Sequence, residues 1–289
     1  MPSAADDSVA RVREVFESSG AEWERLRKDV AGRVSFEIHR RFLDKYLTPG
    51  ARVLEVGAGP GAFTQHMALR GVRLTVTDLS PVQLGDNRRR ITEAGMAGAV
   101  EEFRVADVRD LSRWADGSFD LAVAYGGPLS YVFEDAPVAL RELLRVTRAD
   151  GTIVASVMST LGSYRYFVAD VADVIAEYGD DAGDAILRTG DLRPVQPAGH
   201  VCVMYRAEQI PGFVAQSGGA LAAMSASNWS SLGDPQALTR LEADPAHWAR
   251  FVDNEAWACR QPGCVNGGTH LIFAARHKPD LEPDALLLI

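Results

Sequence analysis

Val53-Leu54-Glu55-Val56-Gly57-Ala58-Gly59-Pro60-Gly61 is the stretch on which the fold turns. A short apolar, β-branched run over 52–56 gives way at once to three glycines alternating within five positions. A helical stretch to about Arg70 follows. Glycine takes the positive φ that a tight strand-to-helix turn needs, and it lets a nucleotide-bearing ligand approach the backbone at the helix N-terminus. A plain strand-to-helix connection has no need of so many.

Working outward, the same alternation repeats. Residues 72–77 read as a second strand closed by Asp78, with a helix over roughly 82–94. Residues 100–105 form a third strand closed by Asp107, and 119–124 a fourth closed by Tyr125-Gly126-Gly127-Pro128. A helix over 134–147 and the turn Ala149-Asp150-Gly151 lead to a fifth strand, 152–157. Strands alternating with helices of this length predict βαβ units and a parallel sheet. Their nearly continuous apolar runs suit strands covered on both faces. A doubly wound α/β domain is expected over 48–158.

Around this core lie helical segments. Val9, Val12 and Phe16, then Trp23, Leu26 and Val30, then Phe36, Phe42, Leu43 and Tyr46 recur at helical spacing, giving an N-terminal helical cap over 1–47. Residues 159–206 read as a helical insertion or lid, ending in a short strand at 201–206. Residues 207–278 return to the core with a helix at 207–217, a small-residue strand at 220–226, an irregular helical insertion over 228–267 and a last strand, 269–275. Residues 279–289 are a tail.

The glycine loop by itself leaves the ligand open. Gly57-x-Gly59-x-x-Ala62 also satisfies a dinucleotide pattern, and Asp78 lies near the offset expected of its ribose-binding acid. Three features point elsewhere. Glu55 stands inside the strand where dinucleotide folds usually carry an apolar residue, the third glycine is at 61, and a second acid, Asp107, closes the third strand.

With Leu-Glu-Val-Gly-Ala-Gly-Pro-Gly (54–61), Thr-Asp-Leu-Ser (77–80), Ala-Asp-Val (106–108) and Phe-Asp-Leu-Ala-Val-Ala-Tyr-Gly-Gly (119–127), the chain resembles the class I S-adenosylmethionine-dependent methyltransferases of small-molecule type. The likeness covers about 35–158 well and the last strands more loosely. It implies a Rossmann-like seven-stranded sheet in the order 3-2-1-4-5-7-6, its last strand antiparallel. It also implies S-adenosylmethionine as cofactor and S-adenosylhomocysteine as product. Carried over, Gly57, Ala58, Gly59 and Gly61 line the methionine side of the cofactor with Glu55 supporting the loop. Asp78 accepts from both ribose hydroxyls, Leu79 packs on the adenine, and Asp107 accepts from its amino group with Val108 beside it. Tyr125 and Gly126 face the methionine moiety.

The same family topology places both insertions and the N-terminal helices over the cofactor, an enclosed pocket suited to a small molecule. For contact with the methyl acceptor the candidates are Tyr131, after the fourth strand, with His200 and His270 at the expected rim. His39, Tyr125, Tyr164, Tyr166, Asn228 and Trp229 stand behind them. Trp248, Phe251 and Trp257 have a helical spacing that suits core packing. The sequence Tyr125-Gly-Gly-Pro128 departs from the Asn/Asp-Pro-Pro-Tyr loop of enzymes that methylate exocyclic base nitrogens. A sulfonium-driven cyclase or lyase and a nicotinamide-dependent oxidoreductase remain alternatives.

Composition narrows the partners. Thirty basic against thirty-nine acidic side chains give a net charge of −9, without the overall basicity of a nucleic-acid binder. Arg88-Arg89-Arg90 is the one short basic run and reads as a solvated helix face. Cys202, Cys259 and Cys264 are too few, and odd in number, for a disulfide framework, and their spacing fits no usual zinc pattern, so no metal is expected. The acidic N-terminus has no apolar core of a signal peptide, and no run reaches 18 apolar residues. The expectation is a cytoplasmic enzyme with a small-molecule substrate, no nucleic-acid or membrane partner, and a homodimer compatible with the chain.

Overall fold

The computed structural model describes residues 4–19, 22–25, 28–195 and 201–278 of the 289-residue chain. The cap begins with α1 (Ala4–Ser19), α2 (Glu22–Arg25) and α3 (Val30–Leu43). Asp29 caps α3 by accepting a hydrogen bond from the Gly32 amide, as a short acceptor side chain does at a helix start. Val30, Val34, Ile38 and Phe42, four residues apart, turn one face of α3 into the core.

The alternating core follows in order: β1 (Arg52–Glu55), α4 (Ala62–Ala68), β2 (Arg73–Asp78), α5 (Pro81–Glu93), β3 (Val100–Val105), β4 (Phe119–Ala124), α6 (Ala136–Val146) and β5 (Thr147–Met158). Then come α7 (Thr160–Tyr166), α8 (Val168–Tyr178), α9 (Asp180–Thr189), α10 (Ile210–Gln216) and β6 (Gly219–Ala226). The last are α11 (Pro235–Glu242), α12 (Pro245–Ala258) and β7 (His270–His277). The sheet order is β3-β2-β1-β4-β5-β7-β6, as the resemblance implied. Strands β1 to β5 are parallel, and β7 runs antiparallel between β5 and β6. His270 at the start of β7 is therefore paired with Met158 at the end of β5. The carboxyl ends of the parallel strands and the first residue of β7 share one edge.

Two apolar layers sandwich the sheet. On one face Val9 and Val12 of α1 pack with Leu140 and Leu143 of α6 and Phe213 of α10; on the other, α3 packs with Met67 of α4 and Leu238 of α11. The second insertion holds α3 in place through the Arg33–Glu242 and Arg41–Asp253 ion pairs and the bond from Asn228 to the Ala31 carbonyl. The first insertion has its own small core of Val174, Ala182, Ile186, Cys202 and Met204, which backs onto Tyr131 and Met158.

Four expectations need correction. Residues 201–206 form no strand; Val203 and Tyr205 make single bridges to Asp191 and Ser159, both outside the seven-stranded sheet. β3 is not covered on both faces: it is an edge strand whose Glu101, Arg104 and Val105 are exposed. β5 starts at Thr147, which pairs with Phe119 across a register shift, so the turn at 149–151 lies within the strand. Finally, Trp248 and Phe251 stack at 5.6 Å against the core as expected, but Trp257 is exposed. Among the described residues no helix is long and apolar enough to cross a membrane.

Candidate active site

The loop after β1 turns on Gly57, Gly59 and Gly61, all at positive φ (62°, 53° and 98°). A Cβ at Gly57 would run into the ring of Pro128, and one at Gly61 into the Asn87 amide. At Gly59 a Cβ would meet nothing within 4 Å. Gly57 and Gly61 let neighbouring elements close on the loop, while Gly59 leaves a cradle open above it. A chain of hydrogen bonds fixes the loop from below. The Asn87 amide donates to the Gly59 carbonyl (3.2 Å) and to Thr64 Oγ1 (2.8 Å); Thr64 donates to Glu55 Oε2 (2.6 Å). Burial, reinforced by the charge of Asp78, pushes the Glu55 carboxyl up to about 8.

A cavity of about 130 Å³ opens at the carboxyl ends of β2 and β3, where ligands of open α/β sheets bind. Asp78, Leu79, Asp107 and Val108 line its floor; Val12 and Phe16 of α1 close it from above. Asp78 accepts from the Gly59 amide through Oδ2 and from the Ser80 amide through Oδ1, each at 2.8 Å. Burial raises its pKa against these bonds and one from the Leu79 backbone. Asp107 is held by the Arg109 guanidinium, which also reaches Asp135. Beside them, Gln83 donates to the Phe16 carbonyl (2.8 Å) while its buried Oε1 has no hydrogen-bond partner. Such an orphaned acceptor is costly unless a ligand supplies the donor.

A second cavity of about 90 Å³ adjoins the first, and the two share Gly57, Gly59 and Gly126 in their walls. It is enclosed by Ser35 and His39 of α3, Phe63 of α4, Glu55, Tyr125 and His270. The Tyr125 hydroxyl donates to the His39 carbonyl (3.1 Å), and burial raises its pKa well above the ordinary value. His39 Nδ1 lies 2.8 Å from the Ser35 carbonyl.

The residues singled out from sequence divide between these spaces. Asp78, Leu79, Asp107, Val108 and Tyr131 line the first, and Glu55, Ala58, Tyr125 and His270 the second. Gly61 lines neither and serves the turn into α4. Tyr131, expected at the acceptor, stands in the first cavity with its ring edge-on to Phe16 at 5.3 Å. His200 lies outside the described residues. Among the described residues neither insertion lines either cavity: the first backs Tyr131 and the second clamps α3. Of the other candidates, Tyr164 packs in the first insertion, Asn228 anchors α3, and Tyr166 and Trp229 are exposed. Sequence reading missed Gln83, Ser35 and Phe63 as wall residues. The signal for Ser35 was its position one turn before His39.

Residues 54–155 match the family model described as a methyltransferase domain. Over 195 residues the chain is 31% identical to a malonyl-[acyl-carrier protein] O-methyltransferase of Halorhodospira halophila, covering 64% of this chain and 62% of that protein. Over 111 residues it is 33% identical to a ubiquinone biosynthesis O-methyltransferase of Xanthomonas campestris, covering 38% and 44%. The chain thus spans less than two thirds of the length of these relatives. The fold also matches the 1,6-didemethyltoxoflavin-N1-methyltransferase of Burkholderia thailandensis, solved with 1,6-didemethyltoxoflavin and S-adenosylhomocysteine. There the TM-score is 0.58 at 17% identity, over 96% of this chain and 92% of that one.

Proposed function

From a chain with the class I methyltransferase fold, homologous to methyltransferase domains over residues 54–155, we propose an S-adenosylmethionine-dependent methyltransferase acting on O, N or C of a small metabolite. The observation that carries this reading is the pair of cavities meeting over the glycine loop, one lined by two carboxylates and the other by rings. The first would hold the nucleoside: Asp78 and the orphaned Gln83 Oε1 toward the ribose hydroxyls, Asp107 toward the adenine amine, and Leu79 and Val108 against the adenine faces. The glycine cradle would take the methionine portion close to the backbone at Gly57, Gly59 and Gly126.

The bound cofactor supplies a methyl group already made electrophilic by the sulfonium. The chain's work is alignment: holding the acceptor in line and excluding water, which converts an encounter into an effectively intramolecular step. Phe16 and Tyr131 do this on the nucleoside side, and Phe63, Tyr125 and the two histidines on the other.

Thermal unfolding with saturating S-adenosylmethionine, S-adenosylhomocysteine, NAD and NADP in parallel tests the proposal. A ligand at about 100 times its dissociation constant adds roughly 2.7 kcal/mol, a rise of several degrees. A rise with the sulfur nucleosides alone is expected; a rise with NAD or NADP alone overturns the reading in favour of the oxidoreductase. The cyclase or lyase alternative is separated by product, because it releases no S-adenosylhomocysteine. We further propose that the enzyme works in the cytoplasm, which its three free cysteines suit. Light scattering distinguishes a homodimer from a 31.3 kDa monomer.

A further inference from the structure

Strands β3 and β6 are the two edges of the sheet, and β3 pairs only with β2. A strand in that position presents unpaired backbone groups along which another strand can add. The shift in the β2–β3 register lies between Leu74 and Thr75, and the pairing is regular from Glu102 to Val105. The Ala106 amide donates to the Asp78 carbonyl (3.0 Å). Backbone groups alternate in direction along a strand, so Glu102, Arg104 and Ala106 turn theirs to β2 while Phe103 and Val105 turn theirs outward. Among the described residues no other segment bonds to the backbone of either. Val105, at 49%, is also the most exposed apolar side chain of the strand.

Charges on an edge strand ordinarily keep other chains away, but here their order sets one register apart. A second copy adding antiparallel across a two-fold axis normal to the sheet keeps each face on its own side. Opposed residues then share a face, and one residue of each copy lies on the axis. With Glu101, Glu102 or Arg104 on the axis, like charges meet, which is destabilising. With Val105 there, no opposite charges of the strand are opposed. With Phe103 on the axis, each Glu102 stands opposite the partner's Arg104, and ring meets ring on the other face. This register also satisfies the backbone. Phe103, turned outward, exchanges both of its hydrogen bonds with its own copy. Glu102 and the partner's Arg104 then form a non-hydrogen-bonded pair, in which side chains approach most closely.

The side chains suit that pairing. Arg104 is exposed, and among the described residues no acid pairs with it. Arg113 holds Glu102 through Oε1 alone, at 3.2 and 3.1 Å, leaving Oε2 for a second donor. The other edge, β6, carries no charged residue and so prescribes no register.

We propose that β3 is a dimer interface: a second copy of this chain adds antiparallel along it with Phe103 on the two-fold axis, joining two seven-stranded sheets into one. The proposal is independent of the reaction the enzyme performs.

Light scattering on full-length protein, across a concentration series at low and high salt, tests it. Wild type is expected to pass from a 31.3 kDa monomer to a dimer, and less readily in high salt, which screens surface ion pairs. Arg104→Glu alone and Glu102→Arg alone each set like charges against each other twice. Each should raise the dimer dissociation constant roughly 10-fold or more. Mixed in equal amounts, the two variants restore both opposite pairs, so the mixture should dimerise as wild type does; misfolded chains would not recover on mixing. In wild type alone, amide hydrogen exchange at Phe103 and Val105 should slow as concentration rises. A wild type that stays monomeric, or exchange at these amides that ignores concentration, overturns the proposal. So does a dimer equally stable in both variants, which moves the interface to another surface such as β6. Loss of the dimer in both folded variants without recovery on mixing overturns the register and the proposal with it.

Discussion

Under the proposed function Asp78 is the residue whose change reads out binding most directly, because its carboxylate both ties down the loop and lines the first cavity. Its oxygens accept from the Gly59 and Ser80 amides, and its side chain lines the first cavity. Hydrogen bonds to a charged acceptor contribute about 1.5–3 kcal/mol. Asp78→Asn should therefore weaken S-adenosylhomocysteine binding by roughly 10- to 100-fold or more in titration calorimetry; unchanged affinity would remove Asp78 from the site. Glu55 gives a prediction in pH. Its folded pKa is raised from 4.5 to about 8, so the folded chain holds a proton that the unfolded chain releases across that interval. The stability this contributes is complete below about pH 4.5 and is lost as pH rises through about 8. Glu55→Gln removes this dependence. Urea midpoints measured from pH 5 to 8 should show the variant gaining steadily on wild type, and parallel curves would contradict the assignment. Both acids were legible in the sequence, since each closes or interrupts a strand otherwise apolar. Gln83 was not, because an amide on a helix carries no such signal and becomes notable only when its oxygen is buried without a donor.

At the scale of elements, α1 turns out to be a wall of the first cavity. Val9, Val12, Arg13 and Phe16 reach into it, with Phe16 edge-on to Tyr131 and its carbonyl tied to Gln83. The periodicity 9-12-16 announced an amphipathic helix but not what it would cover, because an apolar stripe reads alike whether it faces core or ligand. Phe16→Ala should weaken S-adenosylhomocysteine binding by roughly 2- to 10-fold, the range of one aromatic pair, since such contacts contribute about 0.5–1.5 kcal/mol beyond area. Urea unfolding of the ligand-free protein should change less than the affinity does. The opposite ranking would make α1 a packing element only. The same ambiguity explains β3 and residues 201–206. Val100 and Val105 are apolar at both ends of β3, but edge position is a property of the sheet order. A run such as Val201-Cys-Val-Met-Tyr205 is a strand only if it lies alongside a sheet edge, and here it lies beside Asp191 and Ser159.

For the whole molecule, the sequence disclosed the alternating core because each βα unit punctuates itself with glycine, proline or an acid at the strand end. The insertions were harder to place because their faces are chosen by what they meet: among the described residues they brace Tyr131 and α3. That division between a self-declared core and context-dependent caps makes thiol accessibility a test of the assembled fold. Cys202 is buried in the small core of the first insertion and Cys259 where the second insertion meets the sheet; Cys264 is partly exposed and none is in a disulfide. Burial pushes the Cys202 thiol up to about 12 and raises that of Cys259 as well, so both are withheld from reagents that need thiolate. A chromogenic disulfide reagent should label one thiol per native chain quickly, Cys264, and all three after denaturation. Fast labelling of Cys202 with Cys259 still protected would show the first insertion opening independently of the sheet. Fast labelling of both would mean that the caps do not close on the core as described, and the walls they support around the two cavities would fall with them.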